Sequence, residues 1–88
     1  MPARRVTIVN ELGLHARAAA KFVKLAQGFS ATVKVEKDGQ QVSGSSILGL
    51  MMLAAAPGDS IEIAAEGSDA EAAVSALAEL VARGFDEG

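Results

Sequence analysis

The spacing of apolar positions changes along this chain. Arg5-Val6-Thr7-Ile8, Thr32-Val33-Lys34-Val35-Glu36 and Ser60-Ile61-Glu62-Ile63 alternate, one face apolar and the other polar. Alternation of this kind predicts an antiparallel sheet covered on one side. Asp38-Gly39 separates the second run from Gln40-Gln41-Val42-Ser43. Both residues tolerate positive φ, so a tight hairpin and a fourth strand are predicted. Between strands the period lengthens. Within Ala16 to Gln27, the residues Ala19, Phe22, Val23 and Ala26 form one helical stripe, and Gly28 follows as a stop. Ile47 to Leu53 predicts a short apolar helix ending before Pro57-Gly58. Ser68-Asp69-Ala70-Glu71 reads as a capping box, with Ser68 and Glu71 satisfying the first turn of a third helix. That helix turns Ala70, Ala73, Val74, Leu77 and Val81 inward and ends near Gly84. The element order is β-α-β-β-α-β-α, an α+β pattern.

Composition narrows the field. Eighty-eight residues, half of them hydrophobic, make one domain spanning 1–88. Cysteine is absent and histidine occurs once, which excludes disulfides, thiolate catalysis and a His-rich metal site. No metal and no cofactor are expected. The longest uncharged apolar run, Ile47 to Ala56, is about half a membrane span. The first residues lack the apolar core of a signal peptide. A soluble, cytoplasmic monomer with no membrane insertion is expected. Residues 1–57 hold seven Lys/Arg against three Asp/Glu, and residues 58–88 hold eight Asp/Glu against one Arg. The net charge of −3 and only three aromatics, all Phe, argue against nucleic-acid binding.

His15 stands in Gly13-Leu14-His15-Ala16-Arg17, where a loop becomes a helix. An isolated histidine is commonly an ordinary surface residue. Here the backbone N–H groups of Ala16, Arg17 and Ala18 lack intrahelical partners and face the helix start, where the dipole favours an anion. The same field disfavours imidazolium and keeps a ring lone pair available. Gly13 gives the backbone freedom to present the ring. Arg17 offers a fork of donors to a phosphate. No carboxylate pair and no metal ligand set accompanies these residues, so the constellation suits a group carrier better than a turnover enzyme.

Leu12-Gly13-Leu14-His15-Ala16-Arg17, followed by a helix, resembles the active-site motif of the HPr family, the histidine phosphocarriers of the phosphoenolpyruvate-dependent phosphotransferase system. A second stretch, Ser45-Ser46-Ile47-Leu48-Gly49-Leu50-Met51, resembles that family's regulatory serine segment, and chain length and element order also agree. The resemblance implies an open-faced β-sandwich, with a four-stranded antiparallel sheet and three helices on one face. It implies that enzyme I phosphorylates His15 on Nδ1, giving pros-phosphohistidine. The phosphoryl group then passes to a histidine of an EIIA-type protein. It implies phosphorylation of Ser46 by HPr kinase/phosphorylase. Where the family carries proline after the arginine, this chain has Ala18. That difference leaves the sugar-type HPr and the nitrogen-type NPr both open.

Two surfaces suit partner docking. Arg17, Lys21 and Lys24 form a basic stripe on the first helix, with Ala20 on the same helix, fit to steer an acidic partner. In the second helix Ile47, Leu50 and Leu53 can share the core side, leaving Leu48, Met51 and Met52 outward as an adaptable patch. The resemblance makes this helix, Ile47 included, a docking surface. Ser45 or Ser46 also suits the N-cap of that helix. Two other readings stay open: a regulatory module whose phosphorylation state partners read, without sugar transport, and a ligand-binding α/β module in which His15 is incidental.

Overall fold

The computed structural model of the chain describes residues 1–87. Four strands, β1 (Ala3–Thr7), β2 (Thr32–Lys37), β3 (Gln40–Ser43) and β4 (Ser60–Glu66), form one sheet in the order β1-β4-β2-β3. Every neighbouring pair is antiparallel. Three helices, α1 (Ala16–Ala26), α2 (Ile47–Met52) and α3 (Ala70–Ala82), complete the predicted order, and a 3-10 turn over Gly84–Asp86 closes it. The architecture is the expected open sheet with three helices.

The alternation read in the sequence is what divides the sheet's two faces. Val33, Val35, Ile61, Ile63 and Ala65 are buried. Val35 lies opposite both Ile63 and Val42, so one row of apolar side chains crosses three strands. α3 packs over β1, β4 and β2, α1 lies against α2 and α3, and α2 meets β3. The other face carries the row Arg5, Glu62, Glu36 and Gln41 in register. On two helices the expected stripes are buried in full, Ala19, Phe22, Val23 and Ala26 on α1 and Ala70, Ala73, Val74, Leu77 and Val81 on α3. Each large apolar side chain removed from water contributes roughly 1.5–3 kcal/mol. The hairpin turns at Asp38 and Gly39, both at positive φ as the turn requires.

Two expectations need correction. The capping box does not form. Asp69, not Ser68, is the N-cap of α3, and it makes no side-chain cap bond. Its carboxylate instead accepts the N–H groups of Ser30 and Ala31, each at 2.8 Å, tying the α1–β2 loop to the start of α3. The two loop amides engage both carboxylate oxygens, giving Asp69 two charge-assisted bonds where a cap role would give one. The second correction concerns Ile47. It is 41% exposed, whereas Leu50 and Leu53 are buried. Ile47 occupies the first position of a helix only six residues long, so it reaches past the edge of the core.

Candidate functional site

His15 is the N-cap of α1, with extended backbone (φ −81°, ψ 179°) and no side-chain cap bond. Ala19 N–H begins the helical ladder at His15 O, 2.8 Å away. The amides of the first turn thus precede the ladder and face the helix start. Ala16 and Arg17 are exposed there, while Ala18 is fully buried. Among first-turn residues, then, the solvent-facing ones are Ala16 and Arg17. Arg17 makes no hydrogen bond or ion pair among the described residues, which leaves its guanidinium free for an anion.

The loop that delivers the ring is built around Gly13. Its φ is +64°, and a Cβ there would stand 2.4 Å from Ala55 O. Only glycine fits both the conformation and the approach. Leu14 N–H donates to the same Ala55 carbonyl at 2.9 Å, and Asn10 Nδ2 donates to Gly13 O at 2.7 Å. Leu14 is buried beside them. The loop is thereby fixed on both sides of Gly13, and the His15 side chain, 26% exposed, is left in reach of solvent.

The sequence reading missed what lies on the other side of the ring. His15 Nε2 is hydrogen-bonded to Glu87 Oε2. Glu87 Oε1 accepts a second bond from Asn10 Nδ2 at 3.1 Å. Both bonds hold the Glu87 carboxyl below the usual carboxylate range, the His15 ring contributing more than the Asn10 amide. Asn10 is 5% exposed and spends its amide on two carbonyl-type acceptors, Gly13 O and Glu87 Oε1. Those two acceptors fix which end of the Asn10 side chain is nitrogen. Its Oδ1 is left buried without a partner among the described residues.

Glu87 reaches the ring because the segment after α3 doubles back. Gly84, Phe85 and Asp86 all have positive φ (+69°, +57° and +62°). Phe85 and Asp86 are strained in that region, which costs of order 1–3 kcal/mol each. The strain is held by packing and polar contacts. Phe85 is fully buried, Lys21 Nζ donates to Phe85 O at 2.8 Å, and Arg83 Nε donates to Asp86 Oδ1 at 2.8 Å. Gly84 marks the end of the helix and Phe85 is apolar, but no sequence signal foretells that Phe85 and Asp86 continue the reversal. Lys21, expected on an outward basic stripe, is in fact half-buried against this segment, while Ala20 and Lys24 are exposed.

The second cluster sits on α2. Leu48 (68%), Met52 (63%) and Met51 (39%) are exposed together with Ile47, four apolar side chains on one short helix. Ser46 is the N-cap of α2, and its Oγ accepts Gly49 N–H at 2.9 Å. Ser45 Oγ instead pairs with Ser43 Oγ at 2.8 Å, so the capping role falls to Ser46. Among the described residues no helix is long and apolar enough to cross a membrane, and no group of acidic or histidine side chains could hold a metal ion.

Residues 2–83 match the family described as the PTS HPr component phosphorylation site. The chain is 47% identical over 85 residues to the phosphocarrier protein HPr of Cupriavidus necator, covering 97% of this chain and 96% of that protein. It is 45% identical over 84 residues to the phosphocarrier protein NPr of Shewanella violacea, covering 96% and 92% respectively. The crystal structure of HPr-C-His from Thermoanaerobacter tengcongensis superposes with a TM-score of 0.94 at 42% identity, over 100% of this chain and 99% of that one.

Proposed function

The chain belongs to the HPr family, the phosphocarriers of the phosphotransferase system, and from that premise we propose that His15 is its phosphoryl-carrying residue, accepting on Nδ1. One observation carries the reading: a solvent-reached imidazole caps α1 without closing the helix start, and its Nε2 is already engaged by Glu87. A ring held in this way offers Nδ1 as its nucleophile. The phosphoryl group arriving there meets the first-turn amides of Ala16 and Arg17 and the Arg17 guanidinium. The chain supplies position and charge and regenerates nothing by itself, which is the behaviour of a carrier and not of an enzyme.

The donor in this reading is phospho-enzyme I, and the acceptor is a histidine of an EIIA-type protein. The P–N bond formed on His15 replaces the one broken on the donor, so transfer in either direction is nearly isoenergetic. Both partners meet the surface formed by Arg17, Ala20, Lys21 and Lys24 with Ile47, Leu48, Met51 and Met52. The protein acts as a cytoplasmic monomer, with residues 1–88 as one phosphocarrier unit. Ser46 is the substrate of HPr kinase/phosphorylase. Phosphate on its Oγ adds nearly two negative charges beside the apolar patch. It weakens docking by repulsion and desolvation with little refolding.

A nitrogen-type role, in which partners read the phosphorylation state without sugar uptake, is the second reading. The likeness to an NPr at 45% identity favours it. Incubation with phosphoenolpyruvate and enzyme I is expected to give an acid-labile, base-stable phosphoryl label that is lost in His15→Ala. A label retained in that variant would overturn the assignment. ATP with the kinase is expected to give an acid-stable label lost in Ser46→Ala; no such label would remove the regulatory arm. Transfer to sugar-type against nitrogen-type EIIA proteins separates the two subtypes.

A further inference from the structure

The Glu87 contact decides more than ring orientation. A neutral imidazole has one nitrogen bearing hydrogen and one bearing a lone pair, and only the second can attack phosphorus. Glu87 is held ionised by the bonds it accepts from His15 and Asn10. An ionised carboxylate can only accept, so the proton of the ring must lie on Nε2. Nδ1 is then the ring nitrogen with the lone pair. The carboxylate also occupies the space in front of Nε2 that an incoming phosphoryl group would need.

We infer that Glu87 is a positioning residue that sets the regiochemistry of phosphorylation, directing the phosphoryl group to Nδ1 and denying it Nε2. The inference rests on the phosphocarrier reading of His15. The placement of Glu87 is built by two groups far from it in sequence and by its near neighbour Phe85. Asn10 holds its second oxygen, Lys21 holds the Phe85 carbonyl, and the Phe85 ring is locked in the core. The sequence therefore maintains two strained residues, Phe85 and Asp86, to bring one carboxylate to one ring nitrogen.

The chemistry can be isolated from any partner with phosphoramidate, a small phosphoryl donor whose nitrogen leaves as ammonia. The Nδ1 lone pair forms the new P–N bond while the electron pair of the old P–N bond departs with ammonia. The ring is left cationic with its hydrogen on Nε2, and the Glu87 carboxylate balances that charge. No further reagent is needed.

The test uses the full chain carrying 15N in the histidine ring, with the phosphorylated nitrogen identified by 31P–15N coupling. The unaltered protein is expected to give the Nδ1 isomer alone. Glu87→Ala is expected to give the Nε2 isomer beside it. Glu87→Gln retains a carbonyl oxygen for the Nε2–H and is expected to restore the Nδ1 product. A structural role for the tail alone would leave the isomer ratio unmoved. An Nδ1-only product in Glu87→Ala, or an Nε2 product in the unaltered protein, would overturn the inference and leave the carrier role standing. Failure of His15 to accept phosphoryl from either phosphoramidate or enzyme I would instead overturn the carrier role. In that event ring 15N shifts of the neutral ring still decide the matter: they must show hydrogen on Nε2 in the unaltered protein and mixed tautomers in Glu87→Ala.

Discussion

At the scale of single residues, the site depends on one glycine, one histidine and one glutamate from two distant stretches. Gly13→Ala would place a Cβ against Ala55 O in a backbone conformation that alanine resists. The change is expected to cost more than ~1 kcal/mol of stability, beyond the usual scale of a Gly-to-Ala change. Urea unfolding checks this, and His15 ring resonances should shift as the loop moves. An unchanged midpoint would mean that the loop yields freely. Glu87 gives a pH prediction. Its carboxyl titrates below the ordinary range because His15 and Asn10 bond to its charged form. A lowered folded-state value stabilises the fold above the ordinary glutamate range, and the contribution fades as pH falls through the lowered one. A 13C titration of the Glu87 carboxyl should therefore show a depressed midpoint in the unaltered protein and an ordinary one in Asn10→Ala,His15→Ala. His15 and Gly13 were legible from their place before a helix. Glu87 was not, because its contact spans 72 residues and depends on a backbone reversal that no propensity encodes.

At the scale of elements, α2 sets a buried leucine beside exposed apolar residues within six positions. Leu50 is fully buried, and Leu50→Ala is expected to cost ~2–5 kcal/mol. Leu48 is 68% exposed, and Leu48→Ala should stay within ~0.5 kcal/mol. Denaturant curves test the pair, and enzyme I kinetics should reverse the ranking once each variant is folded. Two equal stability losses would contradict the division. On α1, Ala18 occupies the third helical position, where a proline ring would pre-set φ. Ala18→Pro is expected to raise stability by ~0.4–1 kcal/mol, read by urea unfolding. The element boundaries were readable from period and turn residues. Their local fastenings were less so: Asp69 gave its carboxylate to Ser30 and Ala31, and Ile47 at a helix end fell outside the core that its spacing suggested. Both outcomes are tertiary choices between alternatives of nearly equal local energy.

At the scale of the molecule, the sheet, the order of its elements and the covered face follow from alternation and helical stripes, because burial on one face leaves a strand little choice of register. Basic side chains are exposed at both ends of α1, Arg17 in the first turn beside His15 and Lys24 in the last. Steering by such charges is screened as salt shortens the Debye length from ~30 Å at 0.01 M to ~8 Å at 0.15 M. The second-order rate of phosphoryl uptake from enzyme I is thus expected to fall across that range, and Lys24→Glu should flatten the dependence. A salt-independent rate in the unaltered protein would deny the basic stripe its role. The most direct measurement of all is intact mass after exposure to phosphoenolpyruvate and enzyme I. A gain of one phosphoryl group is expected, released by mild acid and absent when His15 is replaced by alanine. A protein that gains nothing, or gains it equally without His15, would contradict it.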